Sequence, residues 1–178
     1  MMRTSSGSTP GNGSATTHAS ASVVERSVAD VMSTALLTVA GDESLLMAWE
    51  LIQRTGFHHL PVVDEDGRCL GLLERSELAV ACALPAISLA ERYVGDLLPG
   101  GAQPHVPVSA RLAEVADVMS EHAVDALAVT DDNDAMVGLV TARDLVSALA
   151  GRKPPHGPTD HGPVLFRLEP VLPPARHT

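Results

Sequence analysis

Aromatic side chains are scarce: one Trp, one Tyr and two Phe in 178 residues. Trp49, Phe57, Tyr93 and Phe166 are too few and too scattered for a base-stacking platform, which needs clustered rings. Positive charge is also thin, with 12 Lys and Arg against 22 Asp and Glu and a net charge of −10. The deficit lies in the stretch 23–150, where 7 basic residues face 20 acidic ones. A body that negative repels a phosphate backbone. That argues against non-specific nucleic-acid binding, yet leaves room for one nucleotide in a locally positive site. Cysteine is limited to Cys69 and Cys82, without CxxC spacing. They form no disulfide framework and read as semi-buried thiols. No apolar run approaches the roughly 20 residues of a membrane span. The N-terminus has no apolar core of the kind a secretory signal needs. The expectation is a cytoplasmic protein without membrane contact.

Hydrophobic residues make up 45% of the chain, so its bulk is globular. The ends differ from the middle. Residues 1–22 are Ser, Thr, Gly and Ala with little to bury, and are expected to be a disordered tail. Residues 151–178 form a Pro-rich tail whose Pro154, Pro155, Pro158, Pro163, Pro170, Pro173 and Pro174 exclude regular helix. Within it only Val164-Leu165-Phe166 is suited to dock as a short extended piece. His156, His161 and His177 have no zinc-motif spacing, so no metal is assigned to them.

The middle is doubled. Residues 38–83 shifted by 67 overlay residues 105–150 without a gap. Val39 meets Val106, Leu60 meets Leu127, Asp64 meets Asp131, and Gly71-Leu72 meets Gly138-Leu139. A unit of about 60 residues is marginal alone, so two are expected to share a core about a pseudo-twofold axis. In the first unit Leu36–Val39 reads as a strand, and Asp42 is suited to cap a helix carrying Leu45, Ala48, Trp49 and Ile52 on one face. Phe57–Val63 and Cys69–Leu73 read as strands around a two-residue Asp66-Gly67 hairpin, followed by a helix over Ser76–Leu84. The second unit gives a strand at Val106, helix Leu112–His122, strands Ala126–Thr130 and Met136–Val140 around Asn133-Asp134, and helix Arg143–Ala150. The order is β-α-β-β-α, twice. The linker Ala86–Leu98 reads as helical, and its Val94-Gly95-Asp96-Leu97-Leu98 echoes Val28-Ala29-Asp30-Val31-Met32.

The stretches "VADVMSTALLTV", "GFHHLPVVDEDGRCLGLLERSEL" and "AVDALAVTDDNDAMVGLVTARDL" resemble a tandem pair of CBS domains, a Bateman module, over residues 25–150. The resulting division is repeat 1 at 25–84, a helical linker at 85–98 and repeat 2 at 99–150. The resemblance implies an α/β (α+β) fold. Each unit is then a three-stranded sheet with two helices, and the two sheets pack together with pseudo-twofold symmetry. It also implies clefts for adenine-bearing regulatory ligands (AMP, ADP or ATP, or S-adenosylmethionine), pairing into a homodimer, and sensing rather than catalysis.

By the same resemblance, Asp144 stands where the family places a carboxylate on the ribose hydroxyls. Paired acceptor oxygens match adjacent hydroxyl donors, and charge-assisted hydrogen bonds are the stronger kind. Thr141 can donate to ribose or α-phosphate, and Arg143 can balance phosphate charge. Thr141 also reads as the N-cap of the last helix, and Thr-x-x-Asp at a helix start is equally a plain capping arrangement. Asp30, Leu36, Phe57 and His58 would line the adenine side; Leu36 and Phe57 are also ordinary core candidates. Two departures from the family pattern matter. In "GLLERSEL" Glu74 and Glu77 stand at the Thr141 and Asp144 positions, so the first site is degenerate. Asp125 and Ala126 occupy the place of a phosphate-facing basic pair. AMP, adenosine or S-adenosylmethionine therefore suits the second site better than ATP without Mg²⁺.

The leading expectation is a stand-alone regulatory module that passes ligand state to an unknown effector protein. The alternative is a ligand-free structural or dimerisation module. No nucleophile–base motif supports an enzyme. His58 and His59 beside Glu74 and Glu77 are a candidate for a divalent cation, but adjacent histidines on one strand point to opposite faces, and no metal is assigned to them.

Overall fold

The computed structural model describes residues 23–83, 91–152 and 164–166. The expected disordered tail, residues 86–90 of the expected linker helix and most of the Pro-rich tail lie outside the described residues. Repeat 1 runs β1 (Leu37–Ala40), α1 (Leu45–Thr55), β2 (His59–Val63), β3 (Cys69–Glu74) and α2 (Arg75–Ala81). Repeat 2 runs β4 (His105–Pro107), α3 (Leu112–His122), β5 (Ala126–Thr130), β6 (Met136–Thr141) and α4 (Ala142–Leu149). This is the doubled β-α-β-β-α order, and a mixed α/β fold. Among the described residues no helix is long and apolar enough to cross a membrane.

Both repeats use one hydrogen-bond plan. In repeat 1, β1 pairs parallel with β2, and β2 antiparallel with β3. In repeat 2, β4 pairs parallel with β5, and β5 antiparallel with β6. The ladder slips at Val62/Val63 and again at Val129/Thr130, positions that correspond under the 67-residue shift. Each hairpin turns on an Asp side chain. Asp64 Oδ1 accepts from the amides of Asp66 and Arg68, at 2.9 and 2.8 Å. Asp131 Oδ1 accepts from Asn133 and Ala135 in the same way. Gly67 and Asp134 take the positive φ that closes each loop. The turns therefore span three residues between paired flanks, not the two expected from Asp66-Gly67, because the left-handed residue comes third.

Other expectations shift locally. Ser44, not Asp42, caps α1, accepting from the Met47 amide. Phe57 and His58 precede β2, which starts at His59. Within the described part of the linker, Val94–Leu97 is a short 3₁₀ turn (η2) and not a continuous helix. Val164–Phe166 forms β7, pairing parallel with the outer edge of β1 and extending that sheet to four strands.

The lead-in segments are exchanged between repeats. The 3₁₀ turn η1 (Val28–Asp30) precedes repeat 1, yet Val28, Val31 and Met32 pack with Val106, Leu112, Val115 and Val140 of repeat 2. Val94, Leu97 and Leu98, preceding repeat 2, pack with Val39, Leu45, Ile52 and Leu73 of repeat 1. Bridges Ser27↔Arg111 and Ser44↔Tyr93 mark the two docking points. A third cluster joins the sheets: Leu36, Val63, Ala126, Ala128, Met136 and Leu139.

Candidate functional site

Strand alternation aims two pairs of side chains from repeat 1 at repeat 2. Leu60 and Val62 on β2 are fully buried in the repeat 1 core. Their neighbours His59 and Pro61 take the opposite face, beside their partners Glu74 and Leu72 on β3. Repeat 2 presents Ala126 and Ala128 opposite Thr141 and Leu139. The small alanines let the sheets close at one end. Where the larger groups begin, a cleft of about 930 Å³ opens between the repeats.

The cleft draws on both repeats. Apolar walls come from Leu36, Trp49, Phe57, Pro61 and Leu139, and polar groups from His58, His59, Glu74, Asp125, Thr141 and Arg143. Phe57 keeps 42% of its surface exposed, so it is a wall of the cleft and not a core residue. Leu36 is buried in the inter-sheet cluster at the cleft floor. Trp49, expected on the core face of α1, packs against the core edge while also reaching the cleft.

Among the seven residues singled out from sequence, Leu36, Phe57, His58, Thr141 and Arg143 meet in this cleft. Asp30 and Asp144 are not among its walls. Asp30 pairs loosely with Arg26 at 3.9 Å on the surface of η1. Asp144 closes a capping box: its Oδ2 accepts from the Thr141 amide at 2.9 Å and the Thr141 hydroxyl at 2.7 Å. Thr141 Oγ1 in turn accepts from the Asp144 amide at 3.3 Å. Glu77 plays the same part in α2, accepting from the Glu74 amide at 2.8 Å.

The structure adds His59, Glu74, Arg75, Asp125 and Trp49 to the cleft. His59 Nε2 lies 3.0 Å from Asp125 Oδ1, joining the two repeats. The available signal was the alternation itself: with Leu60 and Val62 inward, His59 must face the other repeat.

Two interlocked βαββα units with a ligand-sized cleft between them define a paired-repeat module. The chain belongs to the CBS domain family, whose model matches residues 28–83 and 101–151. It is 29% identical over 125 residues to a homoserine O-acetyltransferase of Methanosarcina acetivorans, covering 70% of this chain and 22% of that protein. The chain thus spans about a fifth of that relative's length. A CBS domain-containing protein of Dictyostelium discoideum is 28% identical over 134 residues, covering 68% of this chain and 90% of that one. Among solved structures, the CBS domain pair of protein MJ0100, in complex with 5′-methylthioadenosine and S-adenosyl-L-methionine, superposes with a TM-score of 0.61. It shares 24% identity over 71% of this chain and 97% of its own.

Proposed function

We propose that this chain is a regulatory CBS pair, not an enzyme. It binds an adenosyl ligand of the AMP class in the inter-repeat cleft and passes the bound state to a partner protein. The observation that carries this reading is the cleft: its volume falls in the roughly 300–1,000 Å³ range of small-molecule sites, with apolar walls and few polar groups. The adenosyl compounds bound to the MJ0100 pair support that ligand class. Leu36 and Phe57 offer apolar surface for the adenine. Thr141 and Arg143 stand at the cleft wall that leads to Asp144. Both capping hydrogen bonds that the Asp144 carboxylate accepts go to Oδ2, so Oδ1 is the oxygen offered to ribose. Arg75 and Arg143 are offset by Glu74 and Asp125 in the same cleft. That balance favours a monophosphate, a nucleoside or a sulfonium over a triphosphate.

The module is proposed to work as a homodimer. Val80 on α2 and Val146 and Leu149 on α4 are 78%, 65% and 58% exposed. A second copy covering these helix faces would bury them. The ligand-free reading keeps one observation in its favour: the Thr141–Asp144 capping box is complete by itself.

Thermal unfolding with AMP, ADP, ATP with and without Mg²⁺, S-adenosylmethionine and 5′-methylthioadenosine separates the readings. A ligand at 100 times its Kd stabilises by about 2.7 kcal/mol. For a chain of this size that raises the midpoint by roughly 5–10 °C. Asp144→Ala should abolish the ligand-induced rise. The variant also loses a cap worth about 1 kcal/mol, so the rise is scored against its own ligand-free midpoint. If no adenosyl compound raises the wild-type midpoint, the ligand-free dimerisation module stands instead.

A further inference from the structure

We propose that His59, Glu74 and Asp125 form a divalent-cation site that pins repeat 1 to repeat 2. One donor atom from each residue lies within 4.8 Å of the others. His59 and Glu74 are cross-strand partners at the end of the β2–β3 ladder, so the sheet itself holds their side chains together. Asp125 comes from the other repeat, just ahead of β5, and its Oδ1 is 3.0 Å from His59 Nε2.

Ligand atoms on one four-coordinate zinc lie roughly 3–3.5 Å apart, given bonds of about 2.0–2.2 Å. The His59–Asp125 pair already has that spacing. Glu74, an exposed side chain, closes the remaining gap by rotation. The Ser76 hydroxyl donates to Glu74 Oε2 at 2.9 Å, the kind of outer contact that orients a ligating carboxylate. Two carboxylates and a neutral imidazole balance a dication. An N,O donor set with an imidazole selects zinc or a neighbouring first-row ion over Mg²⁺ or Ca²⁺. The fourth position opens to the cleft, where water or a ligand oxygen would fill it.

The site is confined to one end of the pseudo-symmetric pair. Under the 67-residue shift His59 corresponds to Ala126 and Glu74 to Thr141, and only His58, the counterpart of Asp125, offers a donor. One cation per chain follows. The inference does not rest on the adenosyl reading, because the metal alone is the probe.

The test uses full-length, tag-free protein stripped with a chelator. Co²⁺ is titrated by visible absorption and Zn²⁺ by calorimetry. One equivalent per chain is expected, with affinity falling at least tenfold in Asp125→Asn and Glu74→Gln. Asp125 bonds His59 across the repeats and Glu74 caps α2, so each variant's metal affinity is read at a temperature where its own metal-free melting curve shows it folded. His58→Ala, and a variant with His156, His161 and His177 replaced by Ala, should bind as wild type. The proposal is overturned if neither ion binds at millimolar concentration. It is equally overturned if Asp125→Asn and Glu74→Gln keep full affinity, or if the tail variant loses the equivalent.

Discussion

Cys69 illustrates what the inter-repeat interface does to a single residue. It packs beside Leu36 and Met136 where the sheets meet, with its Sγ 3.6 Å from the Gly71 carbonyl. Burial pushes its thiol up to about 11, a rise that the backbone of Gly71 offsets only in part. A raised acid holds its proton in the folded chain while the unfolded chain has lost it. Stabilisation from this thiol is therefore complete below about pH 9 and lost as pH rises towards about 11. The loss amounts to about 3 kcal/mol at most. Urea midpoints at pH 8 and pH 10.5, for wild type and Cys69→Ala, check this: the advantage of wild type should shrink at the higher pH. Unchanged separation between the two curves would contradict it. The site residues divide on similar local grounds. Thr141 and Phe57 were legible because a motif placed them. His59 and Glu74 are weighed from sequence for a cation together with His58 and Glu77 and set aside; Asp125, which completes the cluster from the other repeat, is not weighed with them.

At the scale of elements, the most specific packing is that of the exchanged lead-ins over two glycines. A Cβ added at Gly138 would collide with Met32 Sδ, and one at Gly71 would lie 2.7 Å from Leu98 Cδ2. The two contacts correspond: Met32 ends one lead-in and Leu98 the other, and Gly71 and Gly138 share a position in the repeat. Glycine on β3 and β6 thus leaves room for a side chain of the other repeat's lead-in, which an added methyl would force to move. Gly138→Ala should cost about 1–3 kcal/mol, the range for overpacking a filled core. Adding Met32→Ala should recover part of that loss, read as a coupling energy in a double-mutant cycle by urea unfolding. Strict additivity would refute the contact. The strands, helices and doubling were legible because apolar periodicity and turn chemistry are local. The exchange was not, although the sequence echo at Val28 and Val94 was visible. An echo says that two segments do the same job, not which repeat receives them. The pairing of Val164–Phe166 with β1 escaped for the same reason: a three-residue apolar run does not name its partner.

The whole molecule is held together about one point. Arg68 and Ala135 correspond under the shift, and they bridge to each other, so the pseudo-twofold axis passes between them. Around that axis no core is the property of one repeat. The repeat 1 core holds Val94 and Leu97 from the segment leading into repeat 2, and the repeat 2 core holds Val28 and Val31 from the segment leading into repeat 1. Cutting the chain between the repeats removes buried side chains from both halves. Each fully buried valine or leucine contributes about 1.5–3 kcal/mol. Two or three of them equal a large part of the roughly 5–15 kcal/mol that stabilises a small domain. Residues 25–84 expressed alone should therefore lack a cooperative thermal transition. The full chain should unfold in one, with calorimetric and van't Hoff enthalpies in agreement. Two separate transitions, or a folded 25–84 fragment, would mean that each repeat stands alone and that the cleft between them can open without unfolding either. A single transition would mean the reverse. Any ligand held in the cleft then stabilises both repeats at once, and it lies against the first turns of α2 and α4, at Arg75 and Arg143.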